Sequence, residues 1–193
     1  MGISRLVALT VGLAAATSVF AGPYEDGVTA LSRGDYATAR NLWQPLAEQG
    51  NALAETQLAI LHLYGRGVPR DFAEALRWFN RAAAQDEANA EFNLGVMYHA
   101  GEGVQRDDAE ADKWYELAAE QGLVPAQGNL GYMYATGQGV PVDYARALFW
   151  FSLAAAGGDA TAADNGRLAA AQLSPADLAN VQKMVREWKP RRR

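Results

Sequence analysis

Side chains that move protons, hold metals or attack electrophiles are scarce in this 193-residue chain. It has no cysteine, which excludes disulfides, thiolate metal sites, a cysteine nucleophile and a cysteine-linked lipid anchor. Its two histidines, His62 and His99, do not occupy equivalent places in the repeating pattern of the chain. Each reads as a core or interface imidazole satisfied by a neighbour. The acidic pairs Glu25-Asp26 and Asp107-Asp108 have the residue types of general acid–base catalysis, but they fall where helices should begin and negative charge serves the helix dipole. Gly65-Arg66-Gly67 has the composition of a phosphate cradle. It follows a helical stretch instead of a strand, however, and it recurs along the chain, so helix termination accounts for it better. No Gly-x-Ser-x-Gly, Ser-x-x-Lys, His-Glu-x-x-His or Walker-type motif occurs. The expectation is a protein with no catalytic residue, no cofactor and no metal site.

The composition points the same way. Seventeen Lys and Arg against twenty-two Asp and Glu give a net charge of −5, the wrong sign for a nucleic-acid binder. Half the residues are hydrophobic, ample for a core in one or two domains. Met1–Ala21 carries a single basic residue, Arg5, ahead of an apolar run from Leu6 to Phe20, and ends in Val19-Phe20-Ala21. That pattern is a secretory signal peptide cleaved near Ala21. The alternative is retention as an anchor, although the run is shorter than the ~18 residues a spanning helix needs. Export implies the periplasm or the outside of the cell. At the other end, Lys189-Pro190-Arg191-Arg192-Arg193 should be a disordered basic tail, without the adjacent apolar anchor that stable membrane contact requires.

What would position any functional group is an internal repeat. Displacing the chain by 36 residues superposes Ala54, Ala90, Ala126 and Ala162. It also superposes Leu58, Leu94 and Leu130, the Gly-x-Gly-Val segments from Gly65, Gly101 and Gly137, and Trp78, Trp114 and Trp150. Each unit reads as two helices. The first ends at Gly-x-Gly, and the second is capped by Asp71, Asp107 or Asp143, with Glu74 and Glu110 completing a capping-box spacing in two of the three. Ala75, Trp78, Phe79 and Ala82 form the apolar stripe of the second helix. Ala59, Gly95 and Gly131 share one small site in the first helix, where close backbone approach is expected. The expected organisation is a signal peptide 1–21 and an all-α solenoid 22–188, followed by the basic tail 189–193. The solenoid divides into units about 23–53, 54–89, 90–125 and 126–161, with capping helices over 162–188; the first unit is short, and the last helix begins at Ser174-Pro175.

The motifs Leu94-Gly95…Tyr98, Gly101-Glu102-Gly103-Val104…Asp107 and Ala111…Trp114-Tyr115…Ala118-Ala119 resemble the Sel-1-like repeat, a variant of the tetratricopeptide repeat. Copy one departs from it at Ala59 and His62, and copy two at Gln105. The resemblance implies an α-α superhelix whose first helices line a concave groove. By analogy with the parent repeat it nominates Ile60, Leu63, Tyr64, Val96, His99, Ala100, Tyr132, Ala135 and Thr136 as groove residues, with Phe92 added. It implies a non-catalytic module that binds a peptide or amphipathic helix of a partner protein, as scaffold or regulator of a signalling or envelope complex. Two alternatives stay open: a cell-wall glycan binder, and an envelope hydrolase such as a β-lactamase. The resemblance connects that last activity to cysteine-rich members, a pattern from which this chain departs.

Overall fold

In the computed structural model, residues 22–191 are described; the expected signal peptide and the last two arginines lie outside them. The described residues form ten α-helices and no strand. They pair in order: α1 (Pro23–Ser32) with α2 (Tyr36–Glu48), α3 (Ala52–Tyr64) with α4 (Phe72–Ala83), α5 (Ala88–Ala100) with α6 (Asp108–Glu120), and α7 (Val124–Thr136) with α8 (Tyr144–Ala156). Two further helices, α9 (Ala160–Ala170) and α10 (Pro175–Glu187), close the array. Each pair packs on the next, so no pair shields its apolar faces alone. None of the described helices is long and apolar enough to cross a membrane.

The helix starts lie two residues before the expected unit boundaries. Asn51, Glu87 and Asp159 are the N-caps, accepting from the amides of Ala54, Ala90 and Ala162. The aligned alanine therefore marks the third residue of the helix, because a repeat spacing sets period and leaves phase open. Asp71, Asp107 and Asp143 cap the second helices by accepting from Glu74, Glu110 and Arg146 N–H. The reciprocal half of the capping box is replaced: Glu74 pairs with Arg77, and Glu110 with Lys113, 2.6 Å away. The first helices stop at Gly65, Gly101 and Gly137, whose φ of 66–77° is the left-handed turn that glycine adopts without strain.

Close approach explains the small site. A Cβ placed on Gly95 would lie 2.6 Å from the Tyr115 ring, and one on Gly131 2.5 Å from that of Phe151. The aromatic of each second helix thus lies directly on the first-helix backbone. Trp43 lies over Gly27 in the same way in the short first unit, its indole N–H donating to Tyr24 O at 3.1 Å. His62, expected to be satisfied by a neighbour, has its Nδ1 buried without a hydrogen-bond partner, at the position where the other repeats have Tyr98 and Tyr134.

At the C-terminal end the repeat pattern lapses. Gly166 stands where Leu58, Leu94 and Leu130 fill the core. The last helix, α10, packs against α8 and buries Val181, with Val185 and Trp188 against the same core. Up to Arg191 the tail departs from the disorder expected of it. The Arg191 amide donates to Glu120 O at 2.7 Å, because Trp188 and Pro190 bring the chain to Gly122 at the end of α6.

Candidate functional site

The first helices are enclosed by their neighbours on most sides, and their open residues trace one face. In α3 it runs through Leu53, Gln57, Ile60 and Tyr64, in steps of four, three and four that return to the same side of a helix. The same stripe continues as Asn89, Asn93, Val96 and Ala100 in α5, and as Pro125, Asn129, Tyr132 and Thr136 in α7. It ends at Thr161, Asn165, Leu168 and Gln172 on α9 and just beyond it. Read across the repeats, the stripe has a row of amides, Gln57, Asn93, Asn129 and Asn165. Beside it runs a row of apolar side chains, Ile60, Val96, Tyr132 and Leu168.

Three hollows open on this face, and Tyr132 borders all of them. The first, about 380 Å³, lies between α7 and α9 and is lined by Pro125, Asn129, Asp159, Thr161 and Asn165. The second, about 320 Å³, lies beside it among Thr136, Tyr144, Asn165, Leu168 and Gln172. The third, about 100 Å³, reaches back to α5 and is lined by His99, Tyr115, Asn129, Met133 and Gln138. Tyr132 remains 50% exposed, a large aromatic kept in water by a fold that wholly or partly covers most others.

Electrostatics are concentrated in the smallest hollow. The His99 ring Nδ1 lies 2.8 Å from Asp108 Oδ1, and the Arg106 guanidinium holds the other oxygen at 2.7 Å. Arg106, with a smaller contribution from His99, keeps the Asp108 carboxyl below its ordinary range. Asp107 caps α6 as its spacing predicts, whereas Asp108, expected to be solvated charge at the helix start, pairs with Arg106 and orients the His99 imidazole. Burial pushes the Tyr115 hydroxyl up to about 12, partly offset by its hydrogen bond with Asn129. No group of three or more His, Asp or Glu able to hold a metal occurs among the described residues.

The sequence-nominated groove residues divide. Ile60, Tyr64, Val96, His99, Tyr132 and Thr136 lie on or beside the open face. Leu63 does not: it stands beside the stripe, but at 2% exposure it belongs to the core. Phe92 is half-buried and packs against Tyr115, with ring centroids 5.7 Å apart, so it supports the groove from behind. The amide row escapes the sequence reading. Counting three residues back from Ile60 and Tyr132 finds it, since i and i+3 share a helical face.

A family model of the Sel1 repeat matches residues 20–51, 52–87, 88–123 and 124–159. The chain belongs to the Sel1 repeat family. Such repeats are generally protein-interaction modules. Among solved structures, a Sel1 repeat protein from Oxalobacter formigenes is 33% identical with a TM-score of 0.71, over 75% of this chain and 60% of that one. A protective antigen of uropathogenic Escherichia coli strains, displaying an SLR fold, is 27% identical with a TM-score of 0.59, over 86% of this chain and 44% of that one. This chain therefore spans less than two thirds of either protein. Helicobacter pylori cysteine-rich protein B, 20% identical with a TM-score of 0.50 over 73% of this chain and 95% of that one, shares the fold. No curated protein matches the chain.

Proposed function

We propose that this Sel1 repeat protein binds an extended segment of another protein along the stripe of its first helices. It would act in the cell envelope as a scaffold or regulator of a larger complex. The observation that carries the reading is the pairing of the two rows. Side-chain amides offer both a donor and an acceptor, which matches peptide main chain, and the adjacent apolar row with its three hollows matches alternate side chains. The envelope location is supported by the leader-like residues 1–21.

Tyr132 is the expected anchor, an exposed aromatic at the centre of the face where binding energy concentrates. Crosslinking in intact cells identifies the partner, and titration of the purified pair measures it. Tyr132→Ala together with His99→Ala is expected to weaken binding by about 2 kcal/mol or more, roughly thirtyfold, with an unchanged circular dichroism spectrum. Unchanged affinity removes this face from the reading. Co-sedimentation with purified peptidoglycan, lost on the same substitutions, replaces the protein partner by glycan.

A further inference from the structure

Glu55, Glu91 and Gln127 occupy one repeat position, and all three are buried in α3, α5 and α7. Their surroundings differ in one respect. In the first of these repeats, Arg81 Nη2 lies 2.8 Å from Glu55 Oε1 and also donates to Ala47 O at 3.1 Å. In the third, Gln127 is neutral, and its own amide donates to the equivalent carbonyl, Ala119 O, at 3.2 Å. The second repeat has neither device. Leu117 stands where Arg81 does, and Glu91, 1% exposed, receives one bond from Gln121 Nε2 at 2.7 Å while its Oε1 is buried without a partner. The second repeat thus buries a carboxylate without the guanidinium that Arg81 supplies in the first.

The C-terminal segment brings an arginine to the rim of this site, in contact with Glu120 and acting on Glu91 through space. The Arg191 amide bonds Glu120 O, and its Nη1 lies 3.6 Å from the Glu120 carboxylate, next in sequence to the Gln121 that holds Glu91. This end of α6 has no basic residue in its last turn, so the helix dipole there also favours an incoming cation. We propose that Glu91 and Glu120 form a guanidinium-binding seat whose ligand is Arg191 of the chain's own C-terminal segment. The contact clasps α10, already packed on α8, to the end of α6. One segment then spans the second and third repeats and holds the angle between them. Those same repeats contribute His99 and Tyr132 to the smallest hollow.

The groups facing Glu91 are Glu87 from the start of its own helix, Glu120 and Gln121 from α6, and Arg191 from the tail. Burial raises the Glu91 carboxyl, with Glu87 and Glu120 adding to the rise and Arg191 opposing it. A carboxyl raised in the folded state makes stability fall as pH climbs above the ordinary carboxylate range. Loss of Arg191 should therefore matter at neutral pH and not in acid. The test is the unfolding midpoint of the full chain carrying Arg191→Gln, which keeps the backbone donor, measured in the natural and Glu91→Gln backgrounds. At neutral pH the expected fall is about 2–4 °C, shrinking to within error at pH 3 and in the Glu91→Gln background. Exchange of the Arg191 amide should quicken by roughly tenfold with the same loss. An equal penalty in both backgrounds would assign the contact to Glu120 alone, and no penalty at neutral pH would remove the seat; either overturns the proposal.

Discussion

The repeats 52–87 and 88–123 share a frame but not an electrostatic plan. The first has five Asp and Glu against four Arg; the second has eight against two Lys and Arg. Where the first places Phe72, Leu76 and Arg81, the second places Asp108, Asp112 and Leu117. The first thus fills its seams with apolar groups and neutralises its buried carboxylate, whereas the second buries two carboxylates, Glu91 and Asp112, each with an unpartnered oxygen. A buried charge without a partner costs stability, so the second repeat gives up packing. It gains the charged side chain that orients His99, beside the groove hollow shared with Tyr132. The frame carries the fold; deviations within it carry whatever distinguishes one repeat from the next.

The sharpest way to break this contrast is to make the first repeat resemble the second. Arg81→Leu leaves Glu55 fully buried with no counter-charge, only the Gln85 amide donating to it, and should cost about 3 kcal/mol in denaturant unfolding at neutral pH. Adding Glu55→Gln reproduces the Gln127 and Leu153 combination of the third repeat and should recover most of the loss. If the double variant is no better than Arg81→Leu, the carboxylate is not the origin of the penalty.

The reverse exchange should stabilise. Asp112, 9% exposed, has its carboxyl pushed up to about 6, mainly by burial and then by Glu116, against a smaller opposing effect of Arg146. The native state then binds a proton more readily than the unfolded chain, so stability falls as pH rises between about 4 and 6, and the full penalty is present above that window. Asp112→Leu, which restores the residue found at 76 and 148, should gain up to about 3 kcal/mol at pH 7 and little at pH 4. Unfolding curves at the two pH values check it. A gain of equal size at both would point to packing instead of charge.

Next in size is the small site. Ala59 is accommodated in the first repeat, while a Cβ added at Gly95 or Gly131 would meet an aromatic ring at 2.6 Å or 2.5 Å. Gly95→Ala and Gly131→Ala should each lower stability by about 1 kcal/mol, overpacking outweighing the gain in helix propensity. Ala59→Gly should also cost about 1 kcal/mol, through propensity. Thermal midpoints separate the outcomes, since a rise on adding the methyl at 95 or 131 would show that the second-helix ring can shift.

The repeat frame, the helix-ending glycines, the aspartate caps and the amphipathic last helix could all be read from residue type and spacing, because each answers to local backbone chemistry. The groove could be read only in part. Tyr64 and Tyr132 announce themselves as large residues on a helical period, but Leu63 and Leu53 look alike in sequence, and only the packing of the helices around α3 decides which is covered. Glu55 and Glu91 are harder still. Glutamate is ordinarily a surface residue, and nothing short of the neighbouring repeat's position shows that this column faces inward. The fate of Arg191 depended on α10 doubling back along α8, a tertiary choice that a five-residue basic tail does not encode.

The smallest contrast lies on the surface. Glu74–Arg77 and Glu110–Lys113 are equivalent i,i+3 pairs in the two repeats, and exposed pairs of this kind contribute little. They differ in what lies beneath the cation. The Arg77 guanidinium stacks over Trp78, 4.2 Å from the ring centroid, and Trp78 is also covered by Arg81 at 4.7 Å. A planar cation on an indole face gains attraction that an ammonium paired only with a carboxylate does not. Arg77→Ala should therefore lower stability by about 0.5 kcal/mol, whereas Lys113→Ala should leave the thermal midpoint where it was. High salt should leave most of the Arg77 difference in place, because the stacked contact is shielded from ions that screen an exposed pair. Equal responses to both substitutions would mean that the ring contributes nothing, and that even here the two repeats differ only in their buried charges.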